Sequence, residues 1–135
     1  MRKIVLVGGC FDILHLGHIY FLKKARGLGD YLIVALESDK NVKRLKGTKR
    51  PIHTQKQRAE ILKSLIFVDK VISLPPSPNY ELLVKKIKPD IIACDIKDNL
   101  LNNRKRYQNL GAKIVVIKKI KTPSTSQIAK LLKLE

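Results

Sequence analysis

The sequence has no tryptophan, and only three phenylalanines and four tyrosines among its 135 residues. With so few stacking rings, and no basic stretch interleaved with them, nucleic acid is not expected as a partner. Two cysteines, Cys10 and Cys94, give neither a disulfide framework nor a metal or redox spacing, as in a chain kept reduced. No apolar run approaches the ~18 residues of a membrane span. Met1-Arg2-Lys3 leads into an apolar stretch too short for the core of a secretion signal. Cytoplasm is the expected location. Acids are scarce too: 11 Asp+Glu stand against 28 Lys+Arg, a net charge of +17. That balance favours anionic partners such as nucleotides and phosphorylated metabolites, beside its ordinary role in solubility. At 44% hydrophobic and 29% charged, residues 1–135 suit one folded domain with a proper core.

Along the chain, apolar runs alternate with helical patterns. A strand over 2–7 is followed by a helix over 17–26, with Ile19, Leu22 and Ala25 at helical spacing, stopped by Gly27 and Gly29. A second strand covers 31–36. A strand, helix and strand within so short a span form a βαβ unit, which implies a parallel sheet. Lys40, Lys43, Arg44, Lys46, Lys49 and Arg50 crowd around Gly47 and read as a short helical turn followed by a mobile basic loop. Thr54, with Gln57 three residues later, has the form of a capping box for the next helix, whose buried stripe is Ala59, Leu62, Leu65 and Ile66. Further strands are expected over 68–74, 90–94 and 113–117, and helices over 80–87, 99–110 and 124–132. Five strands with helices between them predict a Rossmann-like, three-layer α/β/α domain with a five-stranded parallel sheet. Its ligands would lie at the C-terminal ends of the strands.

The chemistry concentrates after the first strand. There the apolar run breaks at Gly8-Gly9 and resumes as a helix opening on His15 and His18. Glycines let backbone N–H groups approach an anion, and a helix N-terminus adds partial positive charge. Histidines three residues apart share one face of the first turn. The loops after the second, fourth and fifth strands share that edge of the sheet. They bring the basic segment 43–50, Asp95, and Lys118, Lys119 and Lys121 followed by the helix start Ser124-Thr125-Ser126. Asp12 with the two histidines falls short of the ligand set of a protein metal site, so no metal ligands are assigned. Asp12 equally suits a helix cap, as do Ser124 and Thr125, and Lys46 equally suits a solvated surface.

Gly9-Cys10-Phe11-Asp12-Ile13-Leu14-His15-Leu16-Gly17-His18 resembles the G-x-F-D-x-x-H-x-G-H signature of the cytidylyltransferase-like (HIGH-type) nucleotidyltransferases. Ser124-Thr125-Ser126-Gln127-Ile128 looks like that family's closing I-S-T-T-x-x-I segment. The resemblance implies transfer of a nucleotidyl group from ATP or CTP to a small phosphorylated acceptor, with release of pyrophosphate and Mg²⁺ accompanying the triphosphate. It implies catalytic roles for His15, His18, Lys46 and Arg58. It implies nucleotide contacts from Gly9, Cys10, Phe11, Asp12, Gly17, Asp95, Lys119, Ser124 and Thr125. Members are often homodimers. The stretches Asn41-Val42-Lys43-Arg44-Leu45-Lys46-Gly47 through Arg50-Pro51-Ile52, Arg58-Ala59-Glu60 and Val68-Asp69 most resemble the adenylyltransferase domain of bifunctional heptose-phosphate enzymes, and also archaeal-type FAD synthases. The CTP-using branch, which includes glycerol-3-phosphate cytidylyltransferases, has an arginine where this chain has Ile66, which favours ATP. A non-catalytic nucleotide- or RNA-binding module is the contrasting reading, and the intact pair of histidines argues against it.

Overall fold

The structure, a computed structural model, describes residues 2–121 and 125–133, with residues 125, 126 and 128 described by their backbone alone. In chain order the elements are β1 (Ile4–Gly9), α1 (Leu16–Arg26), β2 (Tyr31–Leu36), α2 (Asp39–Lys46), α3 (Gln55–Lys63), β3 (Lys70–Ser73), α4 (Tyr80–Ile87), β4 (Ile91–Cys94), a 3₁₀ turn (Asn99–Asn103), α5 (Arg104–Asn109), β5 (Lys113–Val116) and α6 (Thr125–Leu131). The strands form one parallel sheet in the order β3-β2-β1-β4-β5. The expected Rossmann-like layering is present.

The strands read as unbroken apolar runs because both faces of the sheet are covered. Val5, Val7, Leu32, Val34 and Leu36 pack on one side with Leu22 and Ala25 of α1 and Leu62 of α3. Leu6, Ile33, Ala35 and Ile92 pack on the other with Val84 of α4 and Tyr107 of α5. Successive side chains of β2 alternate between the two clusters, as the strand repeat of two requires.

The scarce acids do structural work at the N-terminal edge of the sheet. Asp30, Asp90 and Asp69 accept hydrogen bonds from the backbone N–H of Lys3, Ile4 and Leu32, at 2.9, 2.8 and 2.8 Å. Asp69 also holds Arg26 at 2.9 Å. At Gly29, which leads into β2, a Cβ would stand 2.6 Å from the Lys3 carbonyl oxygen, so only glycine lets the chain pass there.

Three expectations need correction. β1 runs two residues further, through both glycines, because Gly8 and Gly9 pair with Ala35 and Leu36. The basic segment is a two-turn helix rather than a single turn: the Ser38 hydroxyl caps α2 by accepting from the Asn41 N–H at 3.1 Å. The helix expected over 99–110 is divided, since Asp98 caps a 3₁₀ turn at Leu100 before α5 begins. Among the described residues no helix is long and apolar enough to cross a membrane.

Candidate active site

The strand order reverses between β1 and β4, so the loops leaving their C-terminal ends part and open a crevice, the usual ligand position in such sheets. The cleft there has a volume of about 790 Å³, within the range of small-molecule sites. Its centre is the β1–α1 loop and the first turn of α1. One wall comes from the end of β2, α2 and the start of α4. The other comes from the segments after β4 and β5.

His15 is the N-cap of α1, and its Nδ1 accepts the Gly17 N–H at 3.0 Å. His18 Nδ1 accepts the His15 N–H at 3.3 Å. A neutral imidazole whose Nδ1 accepts must carry its proton on Nε2. Both rings therefore satisfy orphan donors of the helix with one nitrogen and present the other, as a donor, to the cleft they line. The ring centroids are 3.9 Å apart, and His18 also meets the edge of Phe11 at 5.5 Å. Phe11 has left-handed backbone, φ 46°, which folds its ring back against Gly9, where a Cβ would lie 2.8 Å from it. Burial pushes the His18 pKa down to about 4, with His15, Lys46, Lys119 and Arg50 adding to the effect. Burial and Lys119 also lower that of His15. Both rings are thus uncharged donors at neutral pH.

Two residues expected to act on the ligand are buried and bonded to the protein. Arg58, expected as a catalytic group, is 0% exposed. Its guanidinium donates to the Cys10 carbonyl at 2.7 Å, the His53 carbonyl at 3.0 Å and Asp39 at 2.8 Å. It ties the β1–α1 loop to α2 and α3 and is a positioning residue. Asp12, expected to bind nucleotide, is 1% exposed. Its carboxylate takes Arg50 Nε at 2.8 Å and the backbone N–H groups of Ile52 and His53 at 2.8 and 3.1 Å. Asp12 therefore clamps segment 50–53 to the β1–α1 loop.

The remaining expected residues fall as follows. Gly9, Cys10, Phe11 and Gly17 line the centre. The Gly17 amide is engaged by His15, the Cys10 carbonyl by Arg58, and burial pushes the Cys10 thiol pKa up. Lys46 is the exposed last residue of α2, ahead of Gly47 at φ 108°, and lines one wall. Lys119 and Asp95 meet on the other wall at 2.9 Å, where Asp95 also accepts the Lys97 N–H. Burial would raise the Asp95 pKa, but the Lys97 amide and the Lys119 ammonium outweigh it and hold the carboxyl below its ordinary value. Ser124 lies outside the described residues, as does the side chain of Thr125, although Thr125 does begin α6. Ile66, expected in the buried stripe of the third helix, is instead 95% exposed and lies beyond the end of α3 at Lys63, and it is not among the residues lining the cleft.

Sequence reasoning missed a buried polar group on the first wall. Asn41 and Tyr80 donate to the two carboxylate oxygens of Glu37, and Arg44 Nε donates to the Asn41 side-chain oxygen at 3.0 Å. A carboxylate directly after a wholly apolar strand was the available signal. Arg50, buried against Asp12, was missed as well.

Comparison with known proteins agrees with this geometry. The chain is 43% identical over 134 residues to the bifunctional protein HldE of Campylobacter jejuni (strain RM1221), a match covering 98% of this chain and 28% of that protein. It is 46% identical over 127 residues to the HldE of Helicobacter hepaticus, covering 93% and 26% respectively. The chain thus spans about a quarter of the length of the curated relatives it matches. Among solved structures it resembles the lipopolysaccharide core biosynthesis protein of Thermoplasma volcanium GSS1, with a TM-score of 0.75 and 30% identity, covering 90% of this chain and 99% of the other. Pantoate-beta-alanine ligase of Francisella tularensis shares the fold at a TM-score of 0.68 and 19% identity, covering 96% of this chain and 65% of the other. The family model described as cytidylyltransferase-like matches residues 6–129, and the chain belongs to that family.

Proposed function

We propose that this chain is a nucleotidyltransferase unit that moves AMP from ATP onto the phosphate of a small sugar phosphate. The observation that carries the reading is the pair of uncharged imidazoles at the start of α1, with Nε2–H donors facing a cleft flanked by Lys46 and Lys119. An oxygen of the acceptor phosphate attacks the α-phosphorus of ATP. The new O–P bond forms as the bond from that phosphorus to the α–β bridging oxygen breaks, and the electron pair leaves with pyrophosphate. A phosphate monoester has its second pKa near ~6, so the nucleophile is already ionised at neutral pH and needs no general base. Imidazoles held neutral by burial suit the remaining task, which is donating hydrogen bonds to charge that grows on the phosphoryl oxygens. Lys46 and Lys119 neutralise the polyphosphate, Lys119 exchanging Asp95 for a phosphate oxygen. The nucleoside is assigned to the wall of Asp95 and Lys119.

Mg²⁺ supplies charge neutralisation on the triphosphate when bound. Among the described residues no three acidic, cysteine or histidine side chains cluster as a protein cage requires, so the ion's ligands are assigned to phosphate oxygens and water. ATP is favoured over CTP by the resemblance of segments 41–47, 50–52, 58–60 and 68–69 to heptose-phosphate adenylyltransferase domains.

The test is pyrophosphate release with ATP or CTP against heptose 1-phosphate, glycerol 3-phosphate and FMN. ATP with heptose 1-phosphate is expected to give the highest kcat/KM. A higher value for CTP with glycerol 3-phosphate, or silence with every pair, overturns the proposal. Chelation by EDTA is expected to stop release without lowering the melting temperature of the protein alone. A fall in that temperature would place the metal in the fold instead.

A further inference from the structure

The buried polar group on the β2 wall has no part in the chemistry above. Glu37 follows the last residue of β2, and its N–H donates to the Gly9 carbonyl at 3.0 Å, which fixes it beside the end of β1. The residue is 7% exposed and lines the cleft. Among the described residues no ion pair reaches it. Its two oxygens each take one donor, from Asn41 and from Tyr80. A carboxylate oxygen has two acceptor positions, so each can accept once more. Asn41, itself buried, is held on the first turn of α2 by the Ser38 cap and by Arg44. The carboxylate is therefore fixed in direction.

A buried anion without a cation is costly, and in a cleft built for polyphosphate it repels the ligand. Such a group is useful only toward hydrogen-bond donors. The same wall carries two exposed cations on the last turn of α2, Arg44 and Lys46. Acceptor oxygens at depth with cations at the rim match one chemical class, a phosphate ester bearing several free hydroxyls.

We propose that Glu37 is a specificity-determining residue for the acceptor. It accepts hydrogen bonds from hydroxyls of a compact sugar phosphate, while Asn41 and Tyr80 aim its carboxylate and Arg44 receives the acceptor's phosphate. This deepens the transferase reading and rests on its assignment of the nucleoside to the opposite wall.

The test compares heptose 1-phosphate with n-butyl phosphate, which has the phosphate and no hydroxyl. Binding is measured by calorimetry with a non-hydrolysable ATP analogue present, and pyrophosphate release is followed in parallel. Glu37→Gln is expected to weaken heptose 1-phosphate by roughly 10-fold or more, the scale of one lost hydrogen bond to a charged group. Affinity for n-butyl phosphate and for the ATP analogue should not change. Tyr80→Phe, at a side chain on a 41% exposed residue, gives a second variant that keeps the core intact and should show a smaller loss of the same selective kind. Equal losses for both phosphates, no loss, or a weakened ATP analogue (the outcome if Glu37 reads the ribose) overturn the inference. If the wild-type protein releases no pyrophosphate yet binds heptose 1-phosphate through Glu37, the transferase reading fails and this inference stands. If the wild-type protein is active and both variants discriminate as it does, the reverse holds.

Discussion

A His18→Ala protein is expected to release pyrophosphate about 10²- to 10³-fold more slowly than the wild type, the scale of removing one preorganised donor from a developing charge. Alanine also removes the acceptor for the His15 N–H, so some loss of stability accompanies it, of order 1 kcal/mol for a helix cap. His18→Asn separates the two effects. Its side-chain oxygen can take the place of Nδ1 and keep the cap, while the Nε2 donor is lost. Stability should recover and turnover should not. Near-normal turnover in a folded His18→Asn protein would remove His18 from the chemistry. The protonation state has its own readout. In nitrogen-detected NMR both rings should carry the proton on Nε2, and His18 should titrate near pH 4, well below its ordinary 6.5. The sign for stability follows from where the proton goes. The unfolded imidazole binds a proton as pH falls through 6.5, but the folded one resists until about 4, so His18 makes the fold lose stability across that window. An imidazole titrating near 6.5 in the folded protein would mean that the ring is solvated and not packed as described.

Much of this was legible because the signals are local. β2 matches the expected 31–36, since a continuous apolar run there ends at Glu37. Helix α4 matches 80–87 for similar reasons, with Asn79 as its cap and Lys88-Pro89 after it. The capping box of Thr54 and Gln57 is present as its spacing implied. The histidines were readable too, because a cap and an N3 position on one turn must share a face. What escaped was decided at long range. Glu37 and Tyr80 are 43 residues apart and meet only because sheet order carries α4 to the end of β2. Helix α2 was under-read because its buried residues are just Asn41 and Val42, too few to draw an apolar stripe. β1 was cut short at the glycines because residues without side chains give no pattern, although their backbones pair normally. Asp12 belongs to the same signature as the histidines that face the cleft, and Arg58 to another stretch that carries the family resemblance. A charged side chain does not reveal, from its type and position alone, whether it meets a ligand or a loop.

The largest loss of stability is expected at Asp12. Asp12 and Arg50 form an ion pair at 2.8 Å with side chains 0% and 1% exposed. Breaking a buried ion pair by removing one partner costs about 3–5 kcal/mol. Against the ~5–15 kcal/mol that holds a typical domain together, Asp12→Ala should therefore populate unfolded protein at moderate temperature. Asp12→Asn should cost somewhat less, because an amide oxygen can still accept from Ile52 or His53. Adding Arg50→Met to Asp12→Asn should restore part of the loss by removing the buried guanidinium as well. An additive double variant would deny the coupling. The pH dependence gives a second check. Burial would raise the Asp12 pKa, but the Ile52 and His53 amides and Arg50 outweigh it, so the folded value lies below the ordinary 3.8. The contribution of the carboxylate is thus complete above about pH 4 and disappears as pH falls through the folded value. Wild-type urea midpoints should drop in that range, and the Asp12→Asn protein should lack that part of the slope. The clamp also fixes where Arg50 sits in the lining of the cleft, since both ends of segment 50–53 bond to Asp12. Asp12→Asn should therefore raise the KM for ATP at temperatures where the protein is still fully folded. An unchanged KM there would confine Asp12 to stability, and the clamp would have no bearing on the cleft.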